Sequence, residues 1–165
     1  MARVLTHQNI LTTFKDIAER HYQINEIFIG EKWDIGAEKQ HNFPLLVVNL
    51  ENSTIEQTIN GFNILKLNYN IKVIDLINND ISNEEDVISD TLQIFQDIVK
   101  EVAQHPYYND SNLSIDGNVN MEVAKGVSDE NLTGVEGNII FKLISNQSYC
   151  DIPISGITKN VFPNS

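Results

Sequence analysis

Cysteine is nearly missing: Cys150 is the only one in 165 residues, so no disulfide forms within the chain and burial alone must hold the fold. Its neighbours Tyr149, Asp151 and Ile152 bring no positive charge to depress the thiol pKa, which reads as a packed side chain rather than a reactive one. Basic residues are scarce as well. There are 11 Lys and Arg against 23 Asp and Glu, giving a net charge of −12 and a pI near 4.5. Affinity for phosphate backbones comes from clustered Lys and Arg, so this balance excludes nucleic acid as the main ligand. Long apolar runs are lacking too. The most apolar stretch, Phe62 to Ile77, is broken by Asn63, Lys66, Asn68, Asn70, Lys72 and Asp75, and no membrane span is expected. Met1 to His7 carries a positive charge without the apolar run of a secretory signal, so the expected location is the cytosol.

What is present suits one domain. Hydrophobic residues make up 41% and charged residues 21%, which rejects wholesale disorder. A chain of this size buries about 70% of its unfolded surface without staples. Residues 1–155 read as a single α+β domain, and 156–165 as a loose C-terminal arm.

Periodicity supplies the elements. Ile10, Leu11, Phe14, Ile17 and Ala18 fall at helical spacing behind a capping Thr6. Ile27–Ile29 and Pro44–Val48 read as short strands, and Glu51–Asn60 as a polar connection. Within Phe62 to Ile77 the alternation is the clearest signal in the chain: Leu65, Leu67, Tyr69, Ile71 and Val73 face one way, and Lys66, Asn68, Asn70 and Lys72 the other. Ser82-Asn83-Glu84-Glu85 has the capping-box form and opens a helix over 84–104, closed by His105-Pro106. Strands follow at Leu113–Ile115, Val119–Val127, Val135–Ile144 and Tyr149–Ile154. The expected core includes Phe14, Ile17, Leu46, Val48, Leu92, Phe95 and Val99. This order describes an α+β fold: a single antiparallel or mixed β-sheet, two helices packed on one face, and a long projecting β-hairpin.

The residues offer little chemistry. His7, His21, His41 and His105 are scattered, with no His-Glu-x-x-His and no cysteine pair, so no metal site is expected. Asp110, Asn112, Ser114 and Asp116 alternate like calcium-loop ligands, but Ile115 holds the position that needs glycine and no glutamate closes the loop. Asp86/Asp90 and Asp97/Glu101 are carboxylate pairs one helical turn apart that could act as acid and base. The same spacing is also that of a solvated helix face. Gly134-Val135-Glu136-Gly137 is too short for a phosphate loop and lacks its lysine. The expectation is a protein without catalysis or cofactor.

Shape remains. Sixteen residues of strand from Phe62 to Ile77 would extend about 50 Å, beyond a body about 40 Å across, and the open edges of such a ribbon invite a partner. Leu65, Leu67, Tyr69 and Ile71 are the expected subunit contacts, with Lys66 and Lys72 pairing with acids on a neighbour.

Several segments resemble the tail-completion or tail-terminator-like proteins of tailed bacteriophages: Pro44-Leu45-Leu46-Val47-Val48, Leu67-Asn68-Tyr69-Asn70-Ile71 running to Val73-Ile74-Asp75, Asn83 to Ile94, Gly134-Val135-Glu136, and Cys150-Asp151-Ile152-Pro153. The resemblance implies a non-enzymatic virion protein, made in the host cytoplasm and placed in the neck or tail. It would form a homo-oligomeric ring at the head-to-tail junction or tail end, in contact with other neck or tail proteins. An acidic lumen would let DNA pass without binding it. The acidic segment from Asn109 to Asn131 departs from the pattern. Two rivals stand beside this reading: an acidic monomeric module that captures a basic protein, and an enzyme built on Asp86 and Asp90.

Overall fold

The computed structural model describes residues 7–30, 41–57, 63–78, 80–105, 113–124 and 131–145. Its elements are α1 (His7–Arg20), β1 (Glu26–Ile29), β2 (Leu45–Gln57), β3 (Asn63–Leu76), α2 (Glu84–Gln104), β4 (Leu113–Ile115), β5 (Met121–Val123) and β6 (Leu132–Ser145). The strands form one mixed sheet in the order β1-β2-β3-β6-β4, with β5 also on β6. Among the described residues only the β1–β2 pair is parallel, and the other pairings are antiparallel. The fold is therefore α+β, with β2 and β3 forming a long hairpin.

The alternation along β3 sets the layers. Leu67, Tyr69, Ile71 and Val73 lie in one apolar cluster with Leu46 and Val48 of β2, Val135, Ile139 and Phe141 of β6, and the buried stripes of both helices. Phe14, Ile17, Leu46, Val48 and Phe95 are buried as expected, whereas Leu92 and Val99 are half-buried flanks. The inward stripe of α2 is Thr91, Ile94, Phe95, Ile98 and Val102, which leaves Leu92 and Val99 at its margins. Thr91 enters that stripe because its hydroxyl donates to the Val87 carbonyl within the helix, so no polar atom is stranded. Phe14, Tyr69 and Phe141 meet edge-on and tilted at centroid distances of 5.4 to 6.1 Å, tying α1 to the middle of the sheet.

Three details depart most from expectation. Glu51–Gln57 is no loop: it continues β2 past an irregularity at Glu51, with Asn52–Gln57 paired with β3. Its side chains are exposed on both faces, so the segment carries no burial pattern to mark it as a strand. The capping box does not form. Asn83 is the N-cap and makes no side-chain cap; its Oδ1 instead accepts from the Asn78 backbone N–H, and the Ser82 hydroxyl accepts from the Asn78 side chain. Glu84, Glu85 and Asp86 still place negative charge at the positive end of the helix. The third is β5, which covers only Met121–Val123 of the expected 119–127 strand. The expected strand at Tyr149–Ile154 and the arm at 156–165 fall outside the described residues.

A polar clasp joins the helices at one end. Arg20 holds Asp16 at 3.0 Å and reaches Glu101 at 3.6 Å, while His105 Nε2 lies 3.0 Å from Asp16. The Arg20 guanidinium first, and His105 second, lower the Asp16 pKa below its ordinary 3.8. A carboxyl whose folded pKa is depressed stabilises the fold above its unfolded pKa and loses that contribution as pH falls through the folded value. Urea midpoints for Asp16→Asn and the parent should therefore differ above pH 4 and converge in stronger acid. A constant difference down to the acid limit would count against the clasp.

Candidate functional site

The six residues expected to bind a neighbour divide between the two faces of β3, and the structure occupies most of them from within. Tyr69 and Ile71 are fully buried and Leu67 is 5% exposed, all three beneath α1 and α2. This corrects the expectation: the apolar face of the ribbon is the chain's own core. Strict alternation shows that one face is covered but not by what. Burial raises the Tyr69 pKa, and the protonated hydroxyl lies 2.6 Å from Nδ1 of His7, whose ring stacks on it at 17°. Leu65 is half-buried at the margin of the cluster.

The lysines are likewise paired within the chain. Lys66 Nζ reaches Asp116 at 3.0 Å and Glu56 at 3.1 Å, and Lys72 Nζ reaches Glu136 at 2.7 Å. Asp116 comes from the segment after β4, and Glu136 is the register partner of Lys72 on β6. Both partners lie far away in sequence, where spacing could not reveal them.

The face of the sheet without helices changes character along its length. At one end Leu45, Val47 and Ile74 are buried against Phe28, Phe43 and Leu132. Beyond the Lys72–Glu136 pair it becomes an asparagine floor. Asn70 Nδ2 donates to Asn138 Oδ1 at 3.0 Å, and Asn138 Nδ2 donates to Asn68 Oδ1 at 3.1 Å and to Glu51 Oε2 at 2.8 Å. A cleft of about 690 Å³ opens over this floor, walled by Asn118, Asn120 and Glu122. A second, smaller cleft of about 350 Å³ lies where α1 ends against α2, lined by Arg20, His21, Tyr22, Asp97 and Lys100.

Residues considered for chemistry are not brought together. His7 meets Tyr69, His21 meets Asp97, His41 meets Glu26 and His105 meets Asp16, four separate places. Asp86 and Asp90 are exposed on α2, while Asp97 and Glu101 are drawn to His21 and Arg20. Among the described residues no group of acids, histidines or cysteines has the arrangement of a metal site, and no helix is long and apolar enough to cross a membrane.

An open edge is expected from the length of the ribbon; what the sequence does not reveal is that the edge belongs to the distal part of β2, in the segment that reads as a loop. β1 pairs with Leu45–Val48 only, and among the described residues nothing pairs with the outer side of β2 from Asn52 to Gln57. That edge carries one charge, Glu56, and no lysine or proline, the usual means by which an exposed strand avoids pairing with other chains. Ile55 stands on it 67% exposed, beside Leu65 and just past the cover of the helices. No protein-family model and no curated protein matches the chain.

Proposed function

We propose that this chain is a non-enzymatic structural protein of a tailed-phage virion, a terminator- or completion-type ring component of the neck or tail. Its copies join through the distal part of the β2–β3 hairpin. One observation supports the assembly half of this reading above the rest: seven consecutive exposed residues, Glu51–Gln57, are held in β conformation with their outer main-chain groups unpaired among the described residues. The outer edge of such a strand does nothing for a monomer and invites aggregation, so its upkeep makes sense as an interface. The resemblance of the sequence segments supplies the phage setting, and the charge of −12 suits a ring through which DNA passes without binding. The contact surface in this reading is the edge of the hairpin, with Ile55 at its centre, in place of the Leu67–Tyr69–Ile71 face.

Light scattering should give a mass several times 18.7 kDa, with closed rings in electron micrographs. Ile55→Lys replaces a side chain that touches little of its own chain, so stability should move by no more than about 0.5 kcal/mol while the mass falls to that of the monomer. A parent chain that stays monomeric at every concentration and binds a basic protein instead would replace the ring with the adaptor reading.

A further inference from the structure

Both borders of the distal sheet lie at one level. Reading across the register, Ser53 of β2 is followed by Leu67 of β3, Phe141 of β6 and Ile115 of β4. The next row runs Thr54, Lys66, Lys142, Ser114. This end of the molecule is thus a four-stranded band. The outer side of β2 bounds it on one edge and the outer side of β4 on the other, neither paired among the described residues. The strands alternate in direction across the band, so β2 and β4 run oppositely.

We infer that copies join head to tail, with the outer edge of β2 at Asn52–Gln57 in one copy receiving β4 of the next as an antiparallel strand. This inference rests on the ring reading and names the contact that builds it. Three observations favour a second copy over a foreign strand. When one copy is placed beside another in the same orientation, the opposed directions of β2 and β4 give an antiparallel ladder with no rearrangement. The apolar side also matches. Ile115 packs on the helix-side cluster at its own border, and the exposed Ile55 stands on that same side of the sheet at the other border. Joining the borders sets Ile115 of one copy beside Ser53 and Ile55 of the next, removing a large exposed apolar side chain from water. Finally, the two borders differ from each other, so a contact between them is heterologous and propagates around a ring, whereas two β2 edges meeting would end at a dimer.

Engineered thiols test this in a Cys150→Ser chain. Thr54 and Ser114 are exposed and lie on the same, helix-free side, at opposite borders of one row. Within one copy they are three strand spacings apart, about 14 Å, beyond the roughly 7 Å between Cα atoms that a disulfide can span. Mild oxidation of the Thr54→Cys/Ser114→Cys chain should therefore give a ladder of covalent multimers on non-reducing gels. Asn52→Cys/Ser114→Cys covers a stagger of two residues, which preserves the faces. Neither Thr54→Cys nor Ser114→Cys alone should link. A dimer from Thr54→Cys alone would overturn the inference in favour of two β2 edges meeting. An oligomeric parent in which no thiol pair links would overturn it while leaving the ring standing, with the contact elsewhere. A monomeric parent would remove the ring and this contact together.

Discussion

Gly134→Ala should be among the most damaging single substitutions in the chain, although it adds one methyl group. Gly134 lies on β6 opposite Ile74, and a Cβ placed there would come 1.9 Å from the Val73 carbonyl oxygen and 2.9 Å from its carbon. Those atoms are backbone of the central strand, so no rotamer change relieves the clash; β3 and β6 would have to separate at this point of their ladder. Overpacking a core costs about 1 to 3 kcal/mol when side chains can shift, and here the loss should reach or exceed the upper end, about 3 kcal/mol, a large part of a domain's stability. Gly117→Ala is the control. Its φ of +72° strains any L side chain, yet nothing lies within 4 Å of the added atom, so about 1 kcal/mol is expected. Urea denaturation should rank the two in that order. Equal midpoints would show that β3 and β6 are not packed as closely as the distances state.

Much of this fold is legible in the chain wherever a burial pattern exists. The Ser82–Glu85 start signal and the His105-Pro106 stop bracket α2 at Glu84–Gln104, the alternation from Leu65 to Val73 marks the central strand, and Phe14, Ile17 and Phe95 declare themselves as core by spacing and size. What escapes is whatever burial does not write. Glu51–Gln57 is wet on both faces and reads as loop; its strand character comes from pairing with Asn63–Asn68 and nothing in its own composition. The partners of Lys66 and Lys72 are fixed by tertiary register, so the sequence shows two cations in need of acids without saying that Asp116 and Glu136 of the same chain provide them. The candidate interface is hard to read for the same reason. Length alone implies an open edge, but which strand carries it depends on which strands lie beside one another, and composition reports only the faces.

Removing one member of the Lys72–Glu136 pair should hurt far more than removing both. The side chains are 9% and 12% exposed, and the pair separates the Leu45–Val47–Ile74 cluster from the asparagine floor. Glu136→Leu leaves an ammonium in a site that water scarcely reaches, at a cost of about 3 to 5 kcal/mol. Lys72→Met removes the attraction of the Lys72 ammonium for Glu136 while the repulsion from Glu122, its register neighbour on β5, stays, so stability again falls. The double substitution removes the desolvation cost along with the attraction. Replacing a buried pair with apolar side chains of similar volume is often neutral or stabilising by about 1 to 4 kcal/mol, so the double variant should match or exceed the parent. Four urea curves close the cycle, and coupling well above about 0.5 kcal/mol is expected. Salt should alter it little, because ions screen a buried pair poorly, whereas the more open Lys66–Glu56 contact should weaken in the same titration. Simple additivity would mean that water already separates Lys72 from Glu136, and that the polar cleft extends deeper into the sheet than its floor of asparagines.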